Sequence, residues 1–133
     1  MLTSAGVLLL VANSAWAMMP VEVAKLVAED GVANDFFGFS ISLSDDTALI
    51  GALRDDDNGV DAGSVHVLTR IGNSWSQQAK LTASDGVVND HFGKSVAVSG
   101  DTVVVGAPQV ESMRGRVYVY EKPVSGWAFC PVT

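Results

Sequence analysis

The side chains with the most chemistry in this sequence are carboxylates. The stretch RDDDNGVDAG (residues 54–63) holds Asp55, Asp56, Asp57, Asn58 and Asp61. Oxygens at that density can hold a hard cation, and calcium takes roughly six to eight of them. The spacing argues otherwise. With Gly59 at the glycine of an EF-hand-like loop, the first and last ligand positions fall on Arg54 and Val65, where carboxylates are needed. The stretch therefore reads as an acidic, solvated loop. A second acidic pattern occurs twice, as Asp30, Asn34 and Asp35 and again as Asp85, Asn89 and Asp90. Asp-Gly and Asn-Asp are common turn formers, so these residues read as turns first and as a binding surface second.

Groups for covalent or acid–base catalysis are scarce. The two histidines, His66 and His91, stand where the other half of a repeat described below has Tyr118 and Phe36. Cys130 is the single cysteine and has no Cys or His beside it. It can form no internal disulfide, and it lacks the neighbours that activate a thiol. Neither a phosphate-binding glycine loop nor a G-x-S-x-G elbow occurs. These absences lead to an expectation of no enzymatic activity, no catalytic residues, no cofactor and no metal. Trp75 and Trp127 could stack on sugars, but as aromatic residues at the starts of strands they read as core.

Composition narrows the partners. A net charge of −7 disfavours nucleic acid, whose phosphates need clustered Lys and Arg. With 48% hydrophobic and 17% charged residues, the chain can bury a core and does not read as disordered. Near the N-terminus, AGVLLLVANSAWA (residues 5–17) has an apolar core followed by Ala15-Trp16-Ala17, an A-x-A cleavage pattern. Its apolar core is too short to span a bilayer. No Lys or Arg precedes Lys25, so the basic start of a signal peptide is missing. Residues 1–17 read either as a signal peptide or as a degenerate strand of a preceding repeat.

The elements that position these residues come from a repeat. Residues 24–53 align with residues 79–108 without a gap, and more than half of the positions are identical. Ala24-Lys25-Leu26 returns as Ala79-Lys80-Leu81, Phe37-Gly38 as Phe92-Gly93, and Gly51-Ala52 as Gly106-Ala107. After a shorter loop in the second copy, Gly63, Val65 and Val67 return as Gly115, Val117 and Val119. A period of about 50 residues signals a stacked architecture. Within a copy, SVAVS (residues 95–99) alternates Val96 and Val98 with small residues. Gly100-Asp101, like Asp45-Asp46, makes a two-residue hairpin turn. TVVVGA (residues 102–107) is a continuous apolar run, expected to be buried on both faces, and RVYVYE (residues 116–121) alternates. A fourth strand runs from Trp75 through the AKL motif. No segment shows a capped helical period, so helix should be nearly absent. Four antiparallel strands per repeat describe a propeller blade. Gly38 and Gly93 are expected where a blade's backbone passes close to its neighbour.

Phe92-Gly93 followed by Gly106-Ala107-Pro108 resembles the FG-GAP repeat of the integrin α-chain propeller and its relatives. The first copy has Phe37-Gly38 but ends Gly51-Ala52-Leu53, without the proline. The resemblance implies an all-β chain of two antiparallel four-stranded propeller blades, an incomplete β-propeller. Residues 18–78 would form the first blade with a preceding strand, and residues 79–133 a truncated second blade. Many integrin repeats carry a calcium loop between the FG and GAP strands. Here that place holds only a tight turn, so calcium does not carry over.

The resemblance further implies a non-enzymatic extracellular binding or adhesion module, secreted or held at the cell surface. Its partner would be a protein or glycan, or further blades. No membrane span is expected, and the isolated chain should self-associate. The alternatives are a purely architectural repeat, or part of a larger propeller enzyme whose catalytic residues lie elsewhere. In an up-and-down blade, the loop entering the FG strand and the loop leaving the GAP strand share one rim. The candidate binding residues are therefore Asp30, Asn34, Asp35, Asp55, Asp56, Asp57, Asp61, Asp85, Asn89 and Asp90.

Overall fold

Seven strands account for nearly all the regular structure. The structure, a computed structural model, describes residues 19–127. The signal-peptide or strand reading of residues 1–17, and Cys130, lie outside these residues. The strands are β1 (Phe37–Ser44), β2 (Thr47–Ala52), β3 (Ser64–Ile71), β4 (Ser74–Leu81), β5 (Ser95–Ser99), β6 (Thr102–Ala107) and β7 (Arg116–Glu121). They form two antiparallel sheets, β1-β2-β3-β4 and β5-β6-β7. The chain is thus all-β, with two propeller-type blades that do not close into a ring.

The tight turns sit where the residue types place them. Ser44 pairs with Thr47 across Asp45-Asp46, and Ser99 with Thr102 across Gly100-Asp101. Asp45 and Gly100 take φ of 50° and 56°, the left-handed conformation that two-residue hairpins need. Among the described residues the α-helical content is one four-residue turn, Val110–Met113, in which Glu111 and Ser112 are themselves left-handed.

Two expectations are corrected. First, β4 runs through the boundary expected after residue 78 and carries Ala79, Lys80 and Leu81 with the first sheet. Second, among the described residues no strand precedes β1: residues 19–36 form no ladder. Leu26 nevertheless packs against Ala48, Ile50 and Leu68. The second sheet shows three strands among the described residues, and these residues end at Trp127, the equivalent of Trp75 at the start of the first sheet's fourth strand.

The core lies between the sheets. Leu49, Val65, Val67, Ala79 and Leu81 of the first sheet meet Phe92, Val103 and Val105 of the second, with Val96 and Val98 packed against them. β2 is buried on both faces, whereas its equivalent β6 is buried on one face and half-buried on the other. The sequence is equally apolar in both; the difference is that β2 has a neighbouring sheet and β6 has none on that side. In β7 the alternation turns Tyr118 and Tyr120 toward the core and leaves Val117 and Val119 more than 60% exposed.

Close contact between the sheets rests on small residues. Ser40 Oγ donates to Gly93 O at 2.6 Å, and Ser42 Oγ and Ser44 Oγ accept from the N–H groups of Val98 and Gly100 at 3.0 and 3.3 Å. Serines on β1 therefore satisfy backbone groups along the free edge of β5. A Cβ on Gly51 would collide with Gly93 O and with Ser40 Oγ. Gly93 is pressed against the first sheet, as expected, and a Cβ there would lie 2.5 Å from Ser64 O. Gly38 departs from the expectation, because a Cβ there would meet nothing within 4 Å.

That pair makes a controlled test, because Gly38 and Gly93 share the same φ of +91°. Gly38→Ala should cost only the backbone strain, about 1–3 kcal/mol. Gly93→Ala should cost about 1–3 kcal/mol more, from the collision with Ser64. Urea unfolding of the two variants measures the difference, and equal losses would remove the close-contact account.

Candidate functional site

The repeated D-G-V-x-N-D segments take one conformation twice. Asn34 and Asn89 have φ of 74° and 67°, and Phe36 and His91 have 58° and 56°. Asn tolerates the left-handed region because its short amide bonds locally. The following carboxylate turns inward. Asp35 Oδ2 accepts the Val32 N–H at 2.9 Å, and Asp90 Oδ2 accepts the Val87 N–H at 2.8 Å. Asp35 and Asp90 are 7% and 3% exposed. Four of the candidate binding residues, Asn34, Asp35, Asn89 and Asp90, thus shape their loops.

The expected rim exists. The loops at residues 28–36, 53–63, 82–94 and 108–115 all lie at the end of the sheets opposite the Asp45-Asp46 and Gly100-Asp101 turns. The loops of the two sheets are laced together. Asn89, His91 and Phe92 donate their N–H groups to the carbonyls of Val60, Asp61 and Ala62, at 2.9, 3.2 and 2.8 Å. Asn58 Nδ2 donates to Ala83 O at 2.9 Å. A rim built this way moves with the sheets beneath it.

The acidic loop is more than solvated. Asp30, Asp55 and Asp57 each place a carboxylate oxygen within 4.8 Å of the others. Lys80 Nζ stands among them, at 2.6, 2.7 and 2.5 Å from their Oδ2 atoms. The ammonium thus occupies the centre that a cation between these carboxylates would take. Lys80 and Asp55 are only 9% and 5% exposed at the side chain, so this is a largely buried ion pair. Asp55 Oδ1 also accepts the Asp57 N–H at 2.9 Å. On the rim outside this cluster, Asp56 Oδ1 accepts the Asp61 N–H. Asp85 pairs with Arg116, which also reaches Glu111, and accepts from the Tyr118 hydroxyl at 2.8 Å.

Position decides the protonation of the cluster. Bonding to Lys80 holds Asp30 below the usual carboxylate range. Burial pushes the Asp55 carboxyl up, but the bonds from Lys80, the Asp57 N–H and the Ser64 hydroxyl outweigh it, and the net shift is downward. Burial likewise disfavours the Lys80 charge, yet its three carboxylate partners raise it well above its ordinary value.

Beneath Asp55 lie residue types that sequence spacing left apart. Ser64 Oγ donates to Asp55 Oδ2 at 2.8 Å, His66 Nε2 lies 3.4 Å from Ser64 Oγ, and His66 Nδ1 lies 3.1 Å from Gln77 Oε1. These are the types of a nucleophilic triad, but the hydroxyl proton goes to the carboxylate rather than to the imidazole. Ser64 and His66 are both 0% exposed. His66 stacks edge-on against Phe37 at 5.1 Å, as Tyr118 does against Phe92 at 5.3 Å. The histidine therefore occupies a core position of the repeat.

Sequence reasoning missed Lys80. Its signal was the recurrence of the AKL motif, which sets a charged residue between two apolar ones, Ala79 and Leu81, that are both buried.

A family model described as the FG-GAP repeat matches residues 20–68 and 75–120. Both matched segments contain an FG strand, a GAP strand and most of the third strand of a sheet.

Lys80→Met should cost about 3–5 kcal/mol, the usual penalty for stranding a buried charge, here Asp55. The linkage sign follows from the shifts. Asp30 and Asp55 are depressed, so their contribution is present above about pH 4, the ordinary range of Asp, and is lost on acidification. Lys80 is raised, so its contribution is full below about pH 10 and is lost at higher pH. Urea midpoints of the wild type should therefore fall below about pH 4, and the midpoint of Lys80→Met should depend less on pH there. A pH dependence equal to that of the wild type would show that the cluster does not carry the effect.

Proposed function

The chain belongs to the FG-GAP repeat family, and from that premise we propose that it is a non-enzymatic binding or adhesion module acting outside the cell. In this reading it is secreted or held at the surface and takes a protein or glycan ligand. The observation that carries the reading is the rim. Loops of both blades are brought to one end and laced together, with exposed Asp30, Asp56, Asp57 and Asp85 along it. A rigid scaffold carrying loops at one end is the usual arrangement of a recognition surface. Among the described residues no helix is long and apolar enough to cross a membrane. The buried state of the Ser64–His66–Asp55 group supports the non-enzymatic reading, since a substrate would have no route to it.

The ion pairs refine where the charge acts. Asp30, Asp55 and Asp57 are neutralised in part by Lys80, and Asp85 by Arg116. Among the described residues Asp56 and Asp61 form no salt bridge, and Asp56 is exposed. Their field adds to the negative charge that the Lys80 and Arg116 groups retain, and together they favour a basic partner over an acidic one. Replacing Asp55, Asp56 and Asp57 together would disturb the buried pair, so the informative variant is Asp56→Asn with Asp61→Asn. Asn tolerates the φ of 51° at position 61.

The test is a panel of extracellular-matrix proteins and glycans, probed with the 133-residue chain and with this double variant. The expected result is a ligand whose affinity drops several-fold in the variant and whose salt dependence flattens, with an unchanged urea midpoint. Absence of any binder would favour the architectural reading, and equal affinity at low salt would take this part of the rim out of recognition.

A further inference from the structure

The two faces that lack a neighbouring sheet are the two halves of the contact already formed inside the chain; on the first, Leu26 covers Ala48, Ile50 and Leu68 and leaves β1 open. On the first sheet, Ile41 and Leu43 are 74% and 66% exposed. Their equivalents in the second copy, Val96 and Val98, pack into the core between the sheets. On the second sheet, Val117 and Val119 are 64% and 63% exposed. Their equivalents, Val65 and Val67, are fully buried under the second sheet. Each exposed residue therefore has a twin that shows what covers it, and in both cases the cover is the other face.

The cleft on the second sheet sharpens this match. Ser95, Gly106, Gly115, Arg116 and Val117 line an open hollow. Their equivalents, Ser40, Gly51, Gly63, Ser64 and Val65, are the residues on which Phe92-Gly93 sits. A Cβ on Gly51 or Gly63 would collide with the Phe92-Gly93 backbone. The matching Phe37-Gly38 has the same φ of +91° at the glycine and open space beside it. The first sheet has thus kept the Phe-Gly that inserts, and the second has kept the glycine-lined seat that receives it.

We propose that a second copy of this chain docks head to tail, seating its Phe37-Gly38 and its Ile41–Leu43 face in the Ser95–Gly106–Gly115 cleft of the first. The register is that of the internal contact. Ser95 Oγ donates to Gly38 O of the second copy, as Ser40 Oγ does to Gly93 O. Ser99 Oγ accepts the Asp45 N–H, as Ser44 Oγ accepts the Gly100 N–H. Ala97 stands where Ser42 supplies a hydroxyl, so one bond of the internal contact is missing. Because the two faces differ, the contact is heterologous and repeats from copy to copy until the ring closes. Closed propellers hold about four to eight blades, so about two to four copies of the two described blades complete a ring. This association does not depend on the rim having a ligand.

The test uses the 133-residue chain and two variants whose changes lie at exposed positions. One carries Ile41→Asp with Leu43→Asp, and the other carries Val117→Asp with Val119→Asp. Light scattering after size exclusion should show the wild type as an oligomer and each variant alone as a monomer. An equimolar mixture of the variants should give a heterodimer and nothing larger, because each supplies one intact face. Circular dichroism should show the same strand content in all three. A monomeric wild type would overturn the proposal. So would a variant that still dimerises alone, which would mean that like faces pair, or a mixture that stays monomeric while the wild type assembles.

Discussion

A four-stranded blade has two faces and too little chain to cover either, so everything else here depends on how closely one sheet can approach the next. The approach is set by backbone and small side chains. Gly51 and Gly63 carry no Cβ where Gly93 and Phe92 arrive, and Ser40, Ser42 and Ser44 are short enough to bond the arriving strand rather than hold it off. With the sheets at that distance, Leu49, Val65 and Val67 become fully buried without any large residue of their own. The hydroxyls serve a second purpose. They engage the N–H groups of Val98 and Gly100 on the β5 edge, groups that would otherwise invite non-specific strand pairing.

The rim follows from the same contact. Once the sheets are stacked, the loop of residues 53–63 lies alongside the loop of residues 82–94, and backbone bonds join them. Loop flexibility is reduced by the neighbouring blade rather than by loop composition. Lys80 extends the joining within the first blade, since it rises from β4 and gathers Asp30 of one loop with Asp55 and Asp57 of another. Taking Asp55 and Lys80 out of water is unfavourable for each alone. The pair persists because Ser64 and the Asp57 N–H complete the coordination of Asp55. One ammonium offsets one of the three carboxylates it gathers, so the loop stays acidic in place, with Asp56 and Asp61 adding to the charge outside the cluster.

The same geometry gives the repeat a direction. One face offers a Phe-Gly step and apolar strand residues, and the other offers glycines, serines and a cleft. A surface of this kind recognises a copy of itself shifted by one unit, not its own mirror partner. Substitutions between copies mark where the rule has relaxed: His66 stands in for Tyr118 against the phenylalanine, and Ala97 for Ser42 on the serine ladder.

The sequence by itself determined the elements. Period-two alternation in SVAVS, the two-residue turns and the return of Phe-Gly and Gly-Ala at a fixed spacing are local signals, and local backbone physics reads them the same way wherever the chain sits. It also determined that the acidic loops share a rim, because an up-and-down sheet alternates its ends. What only the tertiary structure decided was exposure and pairing. Val65 and Val117 occupy one position in the repeat, yet one is buried and the other open, because only the first has a neighbour. Gly38 and Gly93 share a φ, and only one meets a wall. Asp30, Asp55 and Asp57 could be placed on one rim, but not gathered around Lys80, and Ser64, His66 and Asp55 look like unrelated core and loop residues. Their meeting depends on strand register and on loops folding back over a sheet end, and contacts between residues so far apart in the chain leave no periodic trace in the sequence.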